Sequence, residues 1–208
     1  MNRPTDRDAL SGAQRILAAA RQLFAVRGFA GVSIQQVADA AGVCKANVFH
    51  HFASKQVLYR AVLRHSADEF RQLLGQFESP EQKSLTAFAR AHMDHLCANQ
   101  ETVGMFLRLL AEPQATPQRR LAEEIAAESL DDIIDLLEQL RRAGTLPAAS
   151  DSSALALTLL GGNLLHFLLR HVLPRTRFAV PLQDPERFAD QLAGLLATPV
   201  PTALPNPR

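Results

Sequence analysis

Apolar residues recur at helical spacing along almost the whole chain. Ser11-Gly12-Ala13-Gln14 reads as a capping box, and Ile16, Ala20, Leu23 and Phe24 follow it on one face. Arg27-Gly28 ends that helix, because glycine readily takes the left-handed conformation found at helix C-termini. A second box, Ser33-Ile34-Gln35-Gln36, opens a short helix with Ile34, Val37, Ala38 and Ala41 facing one way and Gly42 closing it. A third short helix is predicted over about 45–51, and Ser54 caps a longer one over about 54–74. The pattern breaks at 75–79, and Ser79-Pro80-Glu81-Gln82 starts another helix with a cap and a first-turn proline. Thr116-Pro117 and Asp184-Pro185 repeat that device at two later starts. Further helices are predicted over about 102–111, 117–143, 151–171 and 184–197. No segment alternates apolar and polar residues long enough for a strand, so the predicted fold is all-α, with about nine helices.

Composition refines this picture in three places. Leu and Ala dominate while Trp is absent, a bias toward helix. Two cysteines, Cys44 and Cys97, are too few for a disulfide framework and suit a reducing compartment, which points to a cytoplasmic protein. The stretch 154–173 has the length and apolarity of a membrane span, but Asn163, His166, Arg170 and His171 would be costly in hydrocarbon. It is therefore read as a buried helix, with no membrane partner. Residues 1–10 carry Arg3, Asp6, Arg7 and Asp8 and are expected to form a flexible N-terminus. Pro199, Pro201, Pro205 and Pro207 predict a disordered tail over 198–208.

The net charge of +1 conceals an asymmetry. Residues 1–65 hold nine Lys/Arg against three acids, a balance of +6, and the rest of the chain comes to −5. A basic head on an acidic body suits a protein whose first segment meets a polyanion.

Within that head, the second and third helices are joined by Ala41-Gly42-Val43, which makes a helix-turn-helix. Gly42 permits the tight turn, Val37 and Ala38 let the helices approach, and Val43 and Val48 anchor the third helix. Lys45, Ala46, Asn47, Phe49 and His50 are then left to face a major groove. Asn47 serves no structural need on a helix and suits bidentate contact with adenine.

The run Gly31-Val32-Ser33-Ile34, Val37-Ala38, Ala41-Gly42-Val43, Val48-Phe49, His51-Phe52, Ser54-Lys55 and Leu58 resembles the DNA-binding domain of the TetR/AcrR family of transcriptional regulators. The resemblance implies roles residue by residue. Ser33 resembles the family's hydroxyl contact to a phosphate, and Gln35 stands where the family reaches a base or phosphate. Lys45, Ala46 and Asn47 occupy its variable reading positions, and Phe49 and His50 its aromatic pair. His51 and Lys55 resemble its phosphate-binding His and Lys. Two departures stand out. Phe49 lacks the hydroxyl of the usual Tyr, leaving it apolar contact with a thymine methyl or sugar. Cys44 replaces the usual Ser or Thr cap of the reading helix, and a thiol caps poorly.

The resemblance further implies a division into a helix-turn-helix domain over 11–56 and a helical ligand-binding and dimerisation domain over 57–197, linked by the long helix at about 54–74. It implies a homodimer on a palindromic double-stranded operator, acting as a repressor. An effector in the body would disfavour the geometry in which two heads sit about 34–36 Å apart. The last two long helices would form the dimer's four-helix bundle through Leu157, Leu160, Gly161, Leu164, Leu168, Phe188, Leu192 and Leu195. Phe88, His92, His95, Met105, Phe106, Leu110, Ile133, Leu137 and Phe167 are candidates for a largely apolar effector pocket, each with ordinary core packing as its alternative.

His92 and His95 share a helix face, but Cys97 points elsewhere and no acidic cluster completes a metal site, so none is expected. No phosphate loop, nucleophile elbow or catalytic carboxylate pair occurs, so neither enzymatic activity nor a cofactor is expected. The competing reading is a helical small-molecule sensor or interaction protein that keeps the fold without binding DNA.

Overall fold

The computed structural model describes residues 11–77, 84–147 and 151–198. The expectations for 1–10, for the helix start at 79–82 and for 199–208 lie outside these residues. The described chain is helical and forms no strand among the described residues: α1 (Gly12–Arg27), α2 (Ile34–Ala41), α3 (Lys45–His51), α4 (Lys55–Gly75), α5 (Leu85–Ala98), α6 (Gln100–Leu110), α7 (Pro117–Arg142), α8 (Ser152–Leu169) and α9 (Pro185–Ala197). A 3-10 turn at Leu173–Arg175 and a single α-turn at Val180–Gln183 lie between α8 and α9.

Local chemistry sets the boundaries. Both predicted capping boxes form. Ser11 Oγ accepts from the Gln14 amide and Ser33 Oγ from that of Gln36, while each glutamine side chain accepts from its cap's backbone N–H. Gly42 closes α2 at φ 66°, ψ 39°, a conformation that costs a residue with a Cβ about 1–2 kcal/mol. Asp184 Oδ1 accepts from the amides of Glu186 and Arg187 to cap α9.

The chain divides into two compact units, 1–69 with 99–128 and 70–98 with 129–208. In the first, Ile16, Phe24, Val37, Val48, Leu58, Val62 and Leu63 pack with Met105, Leu109, Leu121 and Ile125 from α6 and α7. Tyr59 sits edge-on to both Phe24 and Phe29, with centroids 4.8 and 5.1 Å away. The Arg108 guanidinium donates to the Ala25 carbonyl at 3.0 Å, and Arg64 pairs with Glu128 at 2.6 Å.

Burial, helped by Glu112, pushes the Tyr59 phenol up to about 12. Because a raised pKa favours the neutral form in the fold, the associated stability is present below pH 10 and lost as pH rises through 12. Tyr59 is the chain's one tyrosine, so phenolate absorbance reports it alone. The expected native midpoint is about 12, and a midpoint at 10 would mean the ring is not buried.

In the second unit Phe88, Ala89, Met93, Ile133, Leu137, Leu140, Leu159, Ala189 and Ala193 form the core, and α5 packs against α8 and α9. Arg90 holds both carboxylate oxygens of Asp190. The apolar stretch read as a buried helix is buried on one face only. Helix α8, at mean hydropathy 1.5, is long and apolar enough to cross a membrane, yet Asn163 and His166 lie inside the core of the second unit while Leu157, Leu165 and Leu168 are exposed. Its two central glycines differ accordingly. A Cβ on Gly162 would lie 2.7 Å from Leu192 Cδ2, whereas one on Gly161 would meet nothing within 4 Å. Alanine at either position recovers helix propensity, but only at Gly162 must Leu192 move. In a denaturant titration, Gly161→Ala is expected to be more stable than Gly162→Ala, by no more than about 1 kcal/mol because Leu192 can move its terminal methyl; equal stabilities would remove the close approach as the reason for Gly162.

Candidate nucleic-acid interface

The second, third and fourth helices place the candidate groups. Val37 and Val48 are fully buried, Val48 being the buried residue of α3. With α3 pinned along that line, Lys45, Ala46, Asn47, Phe49, His50 and His51 are all exposed. Ser33 and Gln35 are exposed at the start of α2, and Lys55 is half-buried at the start of α4.

Most of these side chains have local support. Ser33 Oγ spends a lone pair on the Gln36 amide and keeps its own O–H to donate to a phosphate oxygen. Gln35 donates to Asp39 Oδ1 at 2.8 Å. The Lys45 ammonium lies 6.0 Å from the Phe49 ring, one turn away. The rings of His50 and His51 meet edge to face at 5.2 Å. Lys55 Nζ rests 4.4 Å above the Phe29 ring, so its charge is held in place by an aromatic face. Cys44 stands at the N-cap of α3, exposed and without a side-chain cap bond.

One contributor was missed from the sequence. A Cβ on Gly12 would lie 3.3 Å from His51 Nε2 and 3.7 Å from Asn47 Oδ1. The first turn of α1 therefore abuts α3 beside His51 and Asn47. The available signal was a glycine, a poor helix former, directly after the capping serine.

The effector candidates are divided. Met105 and Phe106 pack in the first unit's core and Leu110 is partly exposed there. Phe88, Ile133 and Leu137 belong to the second unit's core, and Phe167 lies under the Arg170 guanidinium. His92 stacks on Phe88, and His95 meets Phe70. Among the dimer candidates Leu157, Leu168 and Leu195 are strongly exposed and Gly161 is open. Leu160, Leu164, Phe188 and Leu192 are half-buried, Leu160 and Phe188 packing on the second unit's core and Leu192 meeting Gly162. Leu165, Leu169 and Val172, not expected there, join the exposed set. Among the described residues no group of three or more His, Cys, Asp or Glu is placed to hold a metal ion.

Comparison with known proteins agrees with this geometry. Residues 16–62 match the family described as bacterial regulatory proteins, tetR family. The HTH-type transcriptional activator FasR of Mycolicibacterium smegmatis is 30% identical over 126 residues, 58% of this chain and 57% of its own length. The HTH-type transcriptional regulator RutR of Escherichia coli K12 is 47% identical over 53 residues, 26% of this chain and 25% of its own length. The chain thus spans about half, or a quarter, of the lengths of these two relatives. Among solved structures, AibR in complex with isovaleryl coenzyme A and operator DNA superposes with a TM-score of 0.62 at 23% identity, covering 91% of this chain and 100% of that one, a likeness of fold. The matched segment runs from α1 into the start of α4: residues 16–62 are similar to the DNA-binding segment of the tetR family of bacterial regulatory proteins, and the fold is shared along the chain.

Proposed function

We propose that the protein is a sequence-specific DNA-binding transcriptional regulator, working in the cytoplasm as a homodimer on a palindromic operator, with a small-molecule effector that releases it. The observation that carries this reading is α3. Its apolar anchor Val48 is fully buried and every candidate reading side chain is exposed. Ser33, His51 and Lys55 would position the head on phosphates, and Lys45, Ala46, Asn47, Phe49, His50 and Gln35 would face the bases. The exposed apolar row on α8 with Leu195 on α9 supports a homodimer. An effector is supported by AibR, a fold relative whose solved complex holds both isovaleryl coenzyme A and operator DNA.

Fluorescence anisotropy against the intergenic duplex beside its own gene, with a scrambled duplex as control at two salt concentrations, tests the reading. Salt-sensitive binding that prefers the native duplex is expected. If a random-duplex selection also recovers no preferred sequence, the protein is a sensor that keeps the fold without reading DNA.

A further inference from the structure

Among the buried polar side chains of the second unit are His92, Asn163 and His166, at 6%, 0% and 3% exposure. Their hydrogen bonds fix their chemistry. Asn163 Nδ2 donates to the Ala89 carbonyl at 2.8 Å and to His92 Nδ1 at 3.1 Å. A carbonyl only accepts, so the amide has one orientation, and His92 carries its proton on Nε2. His166 Nε2 donates to the Leu182 carbonyl at 3.0 Å, which leaves Nδ1 as a lone-pair acceptor. Among the described residues, Asn163 Oδ1 and His166 Nδ1 are then buried acceptors without a donor. They stand three residues apart on α8 and so share a face. Folded proteins seldom leave such groups unsatisfied, and the exceptions call for a partner.

The surroundings are aromatic. Phe88 stacks on His92 at 6.2 Å, Phe70 meets it edge-on at 6.0 Å, and Phe188 stacks on His166 at 4.5 Å. Burial lowers both imidazoles, His92 to about 3, so both are neutral at pH 7, as the tautomers require.

We infer that Asn163 and His166 anchor the effector of this regulator, and that the effector's polar end is a neutral hydrogen-bond donor, a hydroxyl or amide N–H, on an apolar body. The inference rests on the effector-responsive reading above. A carboxylate end would set its lone pairs against two lone pairs and lose its hydration among phenylalanines. An ammonium end would donate, but its charge would likewise lose its hydration among the phenylalanines.

Thermal unfolding of the full chain with decanamide, decanoate and decylamine at matched concentrations tests this, since a ligand that binds the native state raises the midpoint. Decanamide is expected to stabilise the protein at a concentration at least about tenfold lower than either charged probe. Asn163→Leu and His166→Phe, both checked for native helical circular dichroism, should each bind decanamide about tenfold more weakly, the effect of one lost hydrogen bond. Equal response to decanoate or decylamine, no response to decanamide, or unchanged affinity in both folded variants overturns the inference. Operator binding measured without any probe reports separately on the regulator reading, so either can fail while the other stands.

Discussion

Leu157→Glu combined with Leu165→Glu is expected to give a folded monomer that binds a palindromic duplex on the order of 10²–10⁴-fold more weakly than the native chain. The two leucines are 70% and 57% exposed, eight residues apart on one face of α8, with Gly161 midway between them offering no side chain. Carboxylates there cost the isolated chain little, since neither leucine belongs to a buried cluster. In a dimer they would bring like charges together in a desolvated interface. One head reaches one half-site only, so losing the second copy removes the gain in effective concentration that a tethered partner supplies. Sedimentation velocity and anisotropy on the same samples check both halves of the prediction. A dimeric double variant would place the interface elsewhere; a monomer with undiminished operator affinity would mean that the protein reads DNA singly.

The second large effect separates reading from positioning. Asn47→Ala is expected to weaken binding to the preferred duplex by about 1–3 kcal/mol, roughly 5- to 150-fold, with no change on scrambled DNA. Lys55→Ala is expected to weaken both duplexes alike and to lower the salt slope by roughly 1. The structure adds a qualification for Lys55. Its ammonium sits over Phe29, so alanine also removes about 0.5–1 kcal/mol of cation–π contact, and a small loss of stability should accompany the loss of affinity. Asn47 is exposed on α3, so its substitution should leave the unfolding midpoint unchanged. Identical behaviour of the two variants on both duplexes would abolish the division between phosphate and base contacts.

The reading head was the most legible part of the chain. Its signals are local: a capping serine, a glycine at the turn and valines at helical spacing, each acting within one or two turns of its own position. The body was legible as helices but less so as surfaces. The dimer row was placed at Leu157, Leu160, Gly161, Leu164 and Leu168 of this helix; the structure exposes Leu157, Gly161 and Leu168, half-buries Leu160 and Leu164, and exposes Leu165 and Leu169 besides. In a helix this apolar, hydrophobicity does not distinguish the face against α5 from the face left open. Asn163 and His166 show the other half of the same difficulty. As polar residues in an apolar run they marked the stretch as something other than a membrane span, but the sequence did not indicate that they are buried.

By itself, then, the sequence determined the all-α class, the positions of α1 to α4, the helix-turn-helix and the side chains that face outward from α3, because caps, turns and short-range periodicity are fixed by neighbours along the chain. Tertiary structure alone decided three things: that Gly12 abuts Asn47 and His51, that Gly162 makes room for Leu192, and that Asn163 hydrogen-bonds Ala89 and His92 across 74 and 71 residues. Each depends on which helices meet and at what rotation. That is settled by the packing of whole faces against one another, and no local pattern encodes it.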